Sequence, residues 1–193
     1  MSNKIKVLAL FGKSGAGKDT IQNWILRKYS NTHKIVSHTT RPPRDYEVDG
    51  EDYNFVDIVD FTQMVLNGEM LEATEFNSWF YGTSIKELRE DKLNVGVFNP
   101  TGVESLIADP RIELYSLYVN CDDKTRLIRC LSREESPNCT EICRRYFADE
   151  KDFADLSDLG DYFEINNATE GINDNILSNM INYILHGSQV ETL

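Results

Sequence analysis

The sequence predicts a three-layer α/β fold, in which helices flank a parallel sheet, with an inserted mixed-β lobe and a helical lid. Two observations support this fold class. Short apolar runs typical of buried parallel strands alternate with segments of helical spacing along the chain. Between residues 38 and 84 the alternation gives way to short strands and turns, which is typical of an inserted lobe.

The predicted strands are short runs rich in β-branched, aromatic and other apolar residues. The first run, KIKVLALF at residues 4–11, has no charged residue after Lys6 and is typical of a buried central strand. Asn77 and Ser78 lie between two later runs and predict a hairpin turn. In chain order the predicted strands span residues 4–11, 34–37, 70–76, 79–81, 95–98, 112–119 and 162–165.

The predicted helices carry apolar residues at helical spacing and begin or end at residues that favour caps. Gly68 is placed to end the second helix, Asp122 or Asp123 to cap the fourth, and Thr140 to begin the fifth. In chain order the predicted helices span about residues 18–29, 60–67, 100–108, 122–133 and 140–153, followed by a C-terminal helix to about residue 184.

Composition bounds the domain organisation and the classes of partner. We expect a single domain over residues 1–193, because this length suffices to bury one core. A net charge of −12 repels nucleic acid and anionic membranes, and no apolar run has the length of a membrane span. The 4 cysteines lack metal-site spacing and indicate free thiols in a cytoplasmic protein. The expected core covers about residues 4–37, 94–122 and 160–186, the inserted lobe about 38–84, and the lid about 129–150.

Residues 12–20 fill the G-x-x-x-x-G-K frame of a phosphate-binding loop (P-loop). The glycines let backbone N–H groups converge on phosphate oxygens, and Lys18 reaches the β- and γ-phosphates. The alternative is a strand-to-helix turn that uses glycine only for its backbone freedom. Asp19 stands where Ser or Thr normally ligates Mg²⁺, so it is the candidate metal ligand. The predicted triphosphate-binding residues of this loop are Gly12, Ser14, Gly15, Ala16, Gly17, Lys18, Asp19 and Thr20.

A second phosphate site is predicted in residues 37–56. Pro42-Pro43 favours a polyproline II path with three residues per turn, so Arg41 and Arg44 face the same way and can hold one phosphate. The spacing alone does not separate this site from a solvated loop in which the arginines pair with nearby carboxylates such as Glu47.

The stretch Ser-His-Thr-Thr-Arg-Pro-Pro-Arg-Asp-Tyr-Glu-Val-Asp-Gly-Glu-Asp-Tyr-Asn-Phe-Val at 37–56, together with the loop at 12–20, resembles guanylate kinase. The match continues through Gly-Glu-Met-Leu-Glu at 68–72 and Phe-Tyr-Gly-Thr-Ser at 80–84, and it covers about residues 5–185. The resemblance implies that the acceptor is GMP or dGMP. It implies that the acceptor phosphate is held by Arg41, Arg44, Tyr53 and Tyr81, and that guanine is read by Ser37, Glu72 and Thr83. Glu47 and Asn99 complete the predicted acceptor set.

The chemistry of guanine agrees with a carboxylate at Glu72. Guanine presents two adjacent donors, N1–H and the 2-amino group, which one carboxylate accepts together. Adenine has no donor at N1, so a buried Glu72 would stay unpaired against it, at a cost of several kcal/mol. Taken without the resemblance, the pattern favours a solvent-facing strand residue at this position.

Three arginines are the candidate lid residues. Arg129 and Arg133 lie one helical turn apart and Arg144 follows, and such like charges favour an anion between them. The resemblance implies that these arginines and Lys18 are catalytic and neutralise the transferring phosphoryl group, and that Asn166 lies on the adenine side of the donor. The alternative partners of the arginines are the nearby carboxylates Glu134, Glu135, Glu141, Asp149 and Glu150.

The sequence departs from the family pattern near the metal. Guanylate kinases usually carry Asp-x-Asp after the central strand, where this chain has Val97 and Asn99. The hypothesis is that Asp19 takes over part of the metal-positioning role of the missing carboxylate. The Lys-Asp-Thr sequence that begins at Lys18 also resembles loops of some viral deoxynucleotide kinases, which widens the acceptor range that we consider.

The predicted function is therefore ATP-dependent, Mg²⁺-assisted phosphoryl transfer to GMP or dGMP. Two alternatives stay open: a broader deoxynucleoside monophosphate kinase, and a non-catalytic guanylate-kinase-like module that binds phosphoproteins. Neither a nucleic acid nor a membrane is expected as a partner, and the chain is expected to be a monomer or a homodimer.

Overall fold

A computed structural model describes residues 4–43, 47–76, 78–133, 135–168 and 174–187. The predicted residue Arg44 lies outside the described residues. Within these ranges, no helix is long and apolar enough to cross a membrane. The strands are β1 (Ile5–Phe11), β2 (Thr32–Lys34), β3 (His38–Thr39), β4 (Asn54–Phe55), β5 (Met70–Phe76), β6 (Trp79–Ser84), β7 (Leu93–Val97), β8 (Ile112–Asn120) and β9 (Phe163–Asn166). The helices are α1 (Lys18–Lys28), α2 (Ile58–Leu66), α3 (Pro100–Ala108), α4 (Asp123–Leu131), α5 (Cys139–Asp152) and α6 (Asp174–His186).

The larger sheet is parallel, with the strand order β2-β7-β1-β8-β9. Strand β1 lies at its centre, and its residues from Val7 to Phe11 are fully buried. Because successive side chains of a strand point to opposite faces, Leu8 and Leu10 pack into one apolar cluster and Val7 and Ala9 into another. The parallel sheet covered on both faces confirms the predicted fold class.

The two apolar clusters place helices on each side of the sheet. Ile21 and Ile25 of α1 share one cluster with Leu177 and Ile181 of α6. Val103 of α3 belongs to the other cluster. Ligands bind such sheets at the carboxyl ends of the strands.

A smaller mixed sheet with the order β4-β3-β6-β5 forms the inserted segment. The pair β5–β6 is the predicted antiparallel hairpin, and β3 pairs antiparallel with β6 and parallel with β4. Helix α2 packs on this sheet, where its buried Phe61 contacts the Phe80 ring at 5.7 Å between centroids. The separate mixed sheet agrees with the predicted lobe, whose boundaries as a domain stay a prediction.

Several predicted element boundaries were wrong for local reasons. The second strand is β2 rather than residues 34–37, because the chain leaves the parallel sheet after Ile35 and pairs with β6 from His38 onward. Helix α4 ends at Leu131 rather than at residue 133, since Ser132 adopts the C-cap position. Helix α5 begins at Cys139, one residue before the predicted start at Thr140, and its N-cap is Asn138, whose side chain accepts the Glu141 N–H.

Candidate functional site

The phosphate loop connects the end of β1 to the start of α1, at the carboxyl edge of the parallel sheet. Gly15 and Gly17 have φ values of 78° and 93°, in the left-handed region that glycine adopts without strain. A Cβ atom at Gly15 would lie 2.4 Å from the Arg126 carbonyl oxygen, and one at Gly17 would lie 2.3 Å from Nδ2 of Asn167. Glycine is therefore required at both positions because other backbone and side-chain atoms approach the loop closely.

Lys18 begins α1 and folds back over the loop. Its Nζ donates hydrogen bonds to the carbonyl oxygens of Gly12 at 2.7 Å and Lys13 at 3.2 Å. Burial lowers the pKa of the Lys18 ammonium, while the nearby carboxylates of Asp19 and Asp149 act in the opposite direction. An anion bound at the loop would add to that opposing effect and hold Lys18 charged.

Asp19 lies next to Lys18 in the first turn of α1, with its side chain exposed. Burial raises the pKa of Tyr53 in the inserted sheet, and the charge of Asp19 makes a smaller contribution in the same direction. Among the described residues, no group of three or more His, Cys, Asp or Glu side chains forms a metal site. A single carboxylate nonetheless fits Mg²⁺, which is typically held by one or two carboxylates together with substrate phosphates.

Two carboxylates of α5 contact the mouth of the phosphate loop. The backbone N–H of Ser14 donates to Asp149 Oδ2 at 2.7 Å, and its hydroxyl donates to Oδ1 at 3.3 Å. The Lys13 ammonium lies 2.6 Å from Glu150 Oε1. The sequence had offered both carboxylates only as alternative partners of the lid arginines, so their contact with the loop is a new feature.

Arg126 is the centre of this ionic network and was missed by the sequence reasoning. Its side chain is only 2% exposed and pairs with Asp123 at 2.9 Å, Asp149 at 3.3 Å and Glu150 at 2.6 Å. Its guanidinium carbon lies 4.6 Å from the centroid of the Tyr146 ring. The spacing of Asp123 and Arg126 on a capped helix is a visible signal, but nothing in the sequence connects them to residues 149 and 150.

The three candidate lid arginines lie in different surroundings. Arg129 Nη2 donates to the carbonyl oxygens of Asn167 and Ala168, each at 2.9 Å, so this arginine joins α4 to the chain after β9. Arg133 is exposed beyond the end of α4, and its charge contributes to lowering the Lys18 pKa.

Arg144 lies on α5, where it forms two hydrogen bonds with the Glu141 carboxylate at 2.7 and 2.9 Å. These bonds hold the pKa of Glu141 well below its usual range, at about 2. The same bonds raise the pKa of Arg144, with smaller contributions from Tyr81 and Asp149.

The end of β9 brings two asparagines to the loop. Asn166, the predicted donor-site residue, is exposed, and its Oδ1 accepts the Ala168 N–H at 3.1 Å. The neighbouring Asn167 is buried, and its Nδ2 donates to the Ala16 carbonyl oxygen at 2.8 Å. Asn167 therefore anchors the phosphate loop through the Ala16 carbonyl, a role that the sequence did not predict.

The predicted acceptor-phosphate residues form a cluster in the smaller sheet. Arg41 Nη2 pairs with Glu47 Oε1 at 2.8 Å, and its guanidinium carbon lies 5.5 Å from the Tyr53 ring centroid. The rings of Tyr53 and Tyr81 lie 6.1 Å apart. Burial raises the pKa of Tyr53 to about 12, so its hydroxyl keeps its proton and can donate a hydrogen bond. The cluster can therefore offer Arg41 and two phenols to one anion.

The predicted guanine-reading residues lie next to one another. The hydroxyls of Ser37 and Thr83 are 3.3 Å apart, and Glu72 lies opposite Thr83 in the β5–β6 register. Burial raises the pKa of the half-buried Glu72 to about 7, although a hydrogen bond from Thr83 acts in the opposite direction. A carboxylate with so raised a pKa gains most from a ligand that supplies two hydrogen-bond donors.

Asn99 connects the two sheets. Its Oδ1 accepts the Gly102 N–H at 2.7 Å and caps α3, while its Nδ2 lies 3.4 Å from the Thr74 hydroxyl on β5. Val97, at the end of β7, is half-buried. The amide of Asn99 thus joins the start of α3 to β5, and the carboxylate that the family pattern places at residue 97 is absent.

The chain is similar to known proteins in both sequence and structure. The family model described as guanylate kinase matches residues 4–170. A guanylate kinase of Helicobacter pylori strain J99 is 40% identical over 110 residues, which cover 55% of this chain and 53% of that protein. One from Nostoc sp. strain PCC 7120 is 44% identical over 78 residues, covering 40% and 39% of the two chains. The chain thus spans about half the length of the curated relatives it matches.

A solved structure shares the fold. The crystal structure of guanylate kinase from Anaplasma phagocytophilum matches with a TM-score of 0.68 and 22% identity, covering all of this chain and 90% of that one. At this identity the structural likeness supports the fold only. Membership of the family rests on the sequence match over residues 4–170.

Proposed function

Because the chain belongs to the guanylate kinase family, we propose that it is a nucleoside monophosphate kinase that transfers the terminal phosphoryl group of ATP to GMP or dGMP. The observation that carries this proposal is the half-buried Glu72, with its pKa raised to about 7, beside the hydroxyl of Thr83. A carboxylate in this position is costly unless a ligand supplies donors to it. The N1–H and 2-amino groups of guanine are two such donors with the required spacing.

The donor triphosphate is assigned to the phosphate loop. Converging backbone N–H groups, the N-terminus of α1 and the Lys18 ammonium are the groups that bind β- and γ-phosphates in such loops. The acceptor phosphate is assigned to Arg41, Tyr53 and Tyr81 in the smaller sheet. These assignments place the donor at the loop that follows β1 of the parallel sheet and the acceptor in the smaller mixed sheet.

Catalysis in this arrangement consists of positioning and charge neutralisation. The acceptor oxygen is already anionic, so the transfer requires no general base. Lys18, Arg133 and Arg144 neutralise the charge that spreads over the transferring group, and fixed sites hold the two nucleotides in line. Mg²⁺, when bound with Asp19 as a protein carboxylate, supplies further neutralisation of the phosphate oxygens.

The proposal is tested by coupled measurement of ADP release with ATP and each nucleoside monophosphate in turn. Turnover with GMP or dGMP that strongly exceeds turnover with AMP is the expected result. Similar turnover with all four deoxynucleoside monophosphates would assign a broader deoxynucleotide kinase instead. Folded protein that turns over no monophosphate would favour a binding module.

A further inference from the structure

Asp149 and Glu150 occupy hydrogen-bond donors of the phosphate loop. The Ser14 N–H donates to Asp149 at 2.7 Å, and the Lys13 ammonium pairs with Glu150 at 2.6 Å. Backbone N–H groups and lysines of such loops are the groups that bind anionic oxygens. The loop therefore already holds an anionic partner, which belongs to the same chain.

Arg126 fixes where these two carboxylates lie. It pairs with both of them, and its own carbonyl oxygen closely approaches Gly15, at 2.4 Å from the position that a Cβ would take. Helix α4 is therefore anchored directly against the loop, and the Arg126 guanidinium extends from α4 to α5. A buried arginine of this kind holds carboxylates in a defined geometry because an unpaired partner would be strongly destabilising.

We propose that Asp149 and Glu150, held by Arg126, form an internal anion that competes with the donor phosphates for the loop, and that Arg126 is a positioning residue of the donor site. The inference rests on the proposed function, which brings a triphosphate to this loop. A triphosphate carries more charge and more acceptor oxygens than two carboxylates, so it displaces Asp149 from Ser14. Arg126 then remains as the counter-ion of the released carboxylates.

This competition has two consequences. Weakly charged anions such as inorganic phosphate lack the charge to displace the carboxylates, so the loop discriminates in favour of a triphosphate. In addition, both carboxylates belong to α5, which also carries Arg144. Binding of the donor therefore releases a contact that holds α5 to the loop, and it couples occupation of the donor site to the position of Arg144.

The test is calorimetric titration of the full chain with inorganic tripolyphosphate in the absence of metal, which requires no turnover. Asp149→Asn removes the charge and is expected to tighten tripolyphosphate binding on the order of tenfold, since hydrogen bonds to charged groups exceed neutral ones by roughly this factor. Asp152→Asn is the matched control, because Asp152 is exposed on the same helix. Its expected effect is less than about twofold, as for a screened surface charge.

A second variant tests the role of Arg126. In an Arg126→Gln background the carboxylates are no longer held at the loop, so adding Asp149→Asn is expected to change tripolyphosphate affinity little. An arginine with a purely structural role would leave the effect of Asp149→Asn the same in both backgrounds. Arg126→Lys retains a cation and is expected to restore most of the effect.

Unchanged or weaker tripolyphosphate binding by Asp149→Asn would overturn the inference, as would an equal effect of Asp152→Asn. Should Asp149→Asn not fold, Glu150→Gln tests the competition at Lys13. Tighter tripolyphosphate binding is then the expected result, and unchanged or weaker binding would overturn the inference. Failure of the proposed function is distinguished separately, since it appears as absent ADP release by the parent chain with every monophosphate.

Discussion

Glu72 lies directly opposite Thr83 in the β5–β6 register, and the neighbouring Thr83 acts to lower the pKa of its carboxyl group. Burial nevertheless prevails and raises the pKa of Glu72 from 4.5 to about 7. The two residues come from neighbouring strands of the smaller sheet, so the sheet itself fixes the geometry of the proposed guanine contact.

The raised pKa of Glu72 predicts a pH-dependent acceptor affinity. Only the ionised carboxylate accepts both guanine donors, so the KM for GMP is expected to rise as the pH falls through about 7. At one unit below the pKa, roughly a tenth of the carboxylate is ionised, which predicts up to about a tenfold increase. Steady-state kinetics between about pH 5 and pH 9 measure this profile. A KM for GMP that is flat across this range would contradict the role of Glu72.

The same shift predicts an effect on stability. A carboxyl group whose pKa is higher in the folded state binds its proton more tightly there than in the unfolded chain. Its contribution to the free energy of unfolding is therefore lost as the pH rises from about 4.5 through about 7. Glu72→Gln should remove this pH dependence, and Glu75→Gln, an exposed residue of the same strand, should keep it. Thermal unfolding at several pH values tests the difference.

Gly15→Ala is predicted to disrupt the phosphate loop. The new Cβ would meet the Arg126 carbonyl oxygen at 2.4 Å, a contact with backbone that cannot simply rotate away. We expect a loss of stability above about 2 kcal/mol, together with loss of donor binding. Gly68→Ala is the control, because Gly68 also has a positive φ of 67° but no atom within 4 Å of a Cβ. It should lose only about 1 kcal/mol, measured by urea denaturation.

Arg126→Met is predicted to be strongly destabilising. It leaves the largely buried Asp149 carboxylate without this counter-ion, and an uncompensated buried charge costs about 3–5 kcal/mol, whereas the more exposed Glu150 contributes less. Arg111→Met is the matched comparison, since Arg111 pairs with Asp109 at the surface. Exposed pairs contribute roughly 0–1 kcal/mol. Denaturant unfolding measures the free energy of unfolding that each variant loses. Similar values for Arg126→Met and Arg111→Met would contradict a larger contribution of the buried network to stability.

Asp19→Ser is predicted to change metal dependence. If Asp19 takes over part of the role of the missing carboxylate at Val97, the variant needs several-fold more Mg²⁺ for half-maximal rate. Asp91→Ser is the control, because Asp91 precedes β7 and so lies at the opposite edge of the parallel sheet. The Mg²⁺ titration of the initial rate is the measurement. Identical Mg²⁺ titrations for the parent chain and Asp19→Ser would show that Asp19 does not contribute to metal binding.

Features encoded by local spacing were predictable from the sequence. The phosphate loop, the hairpin of β5 and β6, and the helix cap at Asp122 depend on residues adjacent in the chain, and each has a known signature. The boundary between β2 and β3 was missed because it depends on pairing with β6, far along the chain. Local propensity does not reveal such a partner.

The ionic network around Arg126 was unpredictable for a related reason. The Ser14–Asp149 hydrogen bond joins residues separated by 135 positions, and nothing in either segment specifies the other. The sequence showed surplus carboxylates near the lid arginines and left their partners open. Only the packing of α4 beside the loop determines that the buried Arg126 pairs with Asp149 and Glu150, whereas Glu141 pairs with the lid arginine Arg144.

The measurement that tests the central claim most directly is the ratio of kcat/KM for GMP to that for AMP, compared between the parent chain and Glu72→Gln. We predict that the parent strongly prefers GMP and that Glu72→Gln loses roughly two or more orders of magnitude of this preference, because its amide cannot accept both guanine donors. The exposed Glu75→Gln should retain the parental ratio. An unchanged ratio in folded Glu72→Gln, or a parent chain without preference for GMP, would contradict the account.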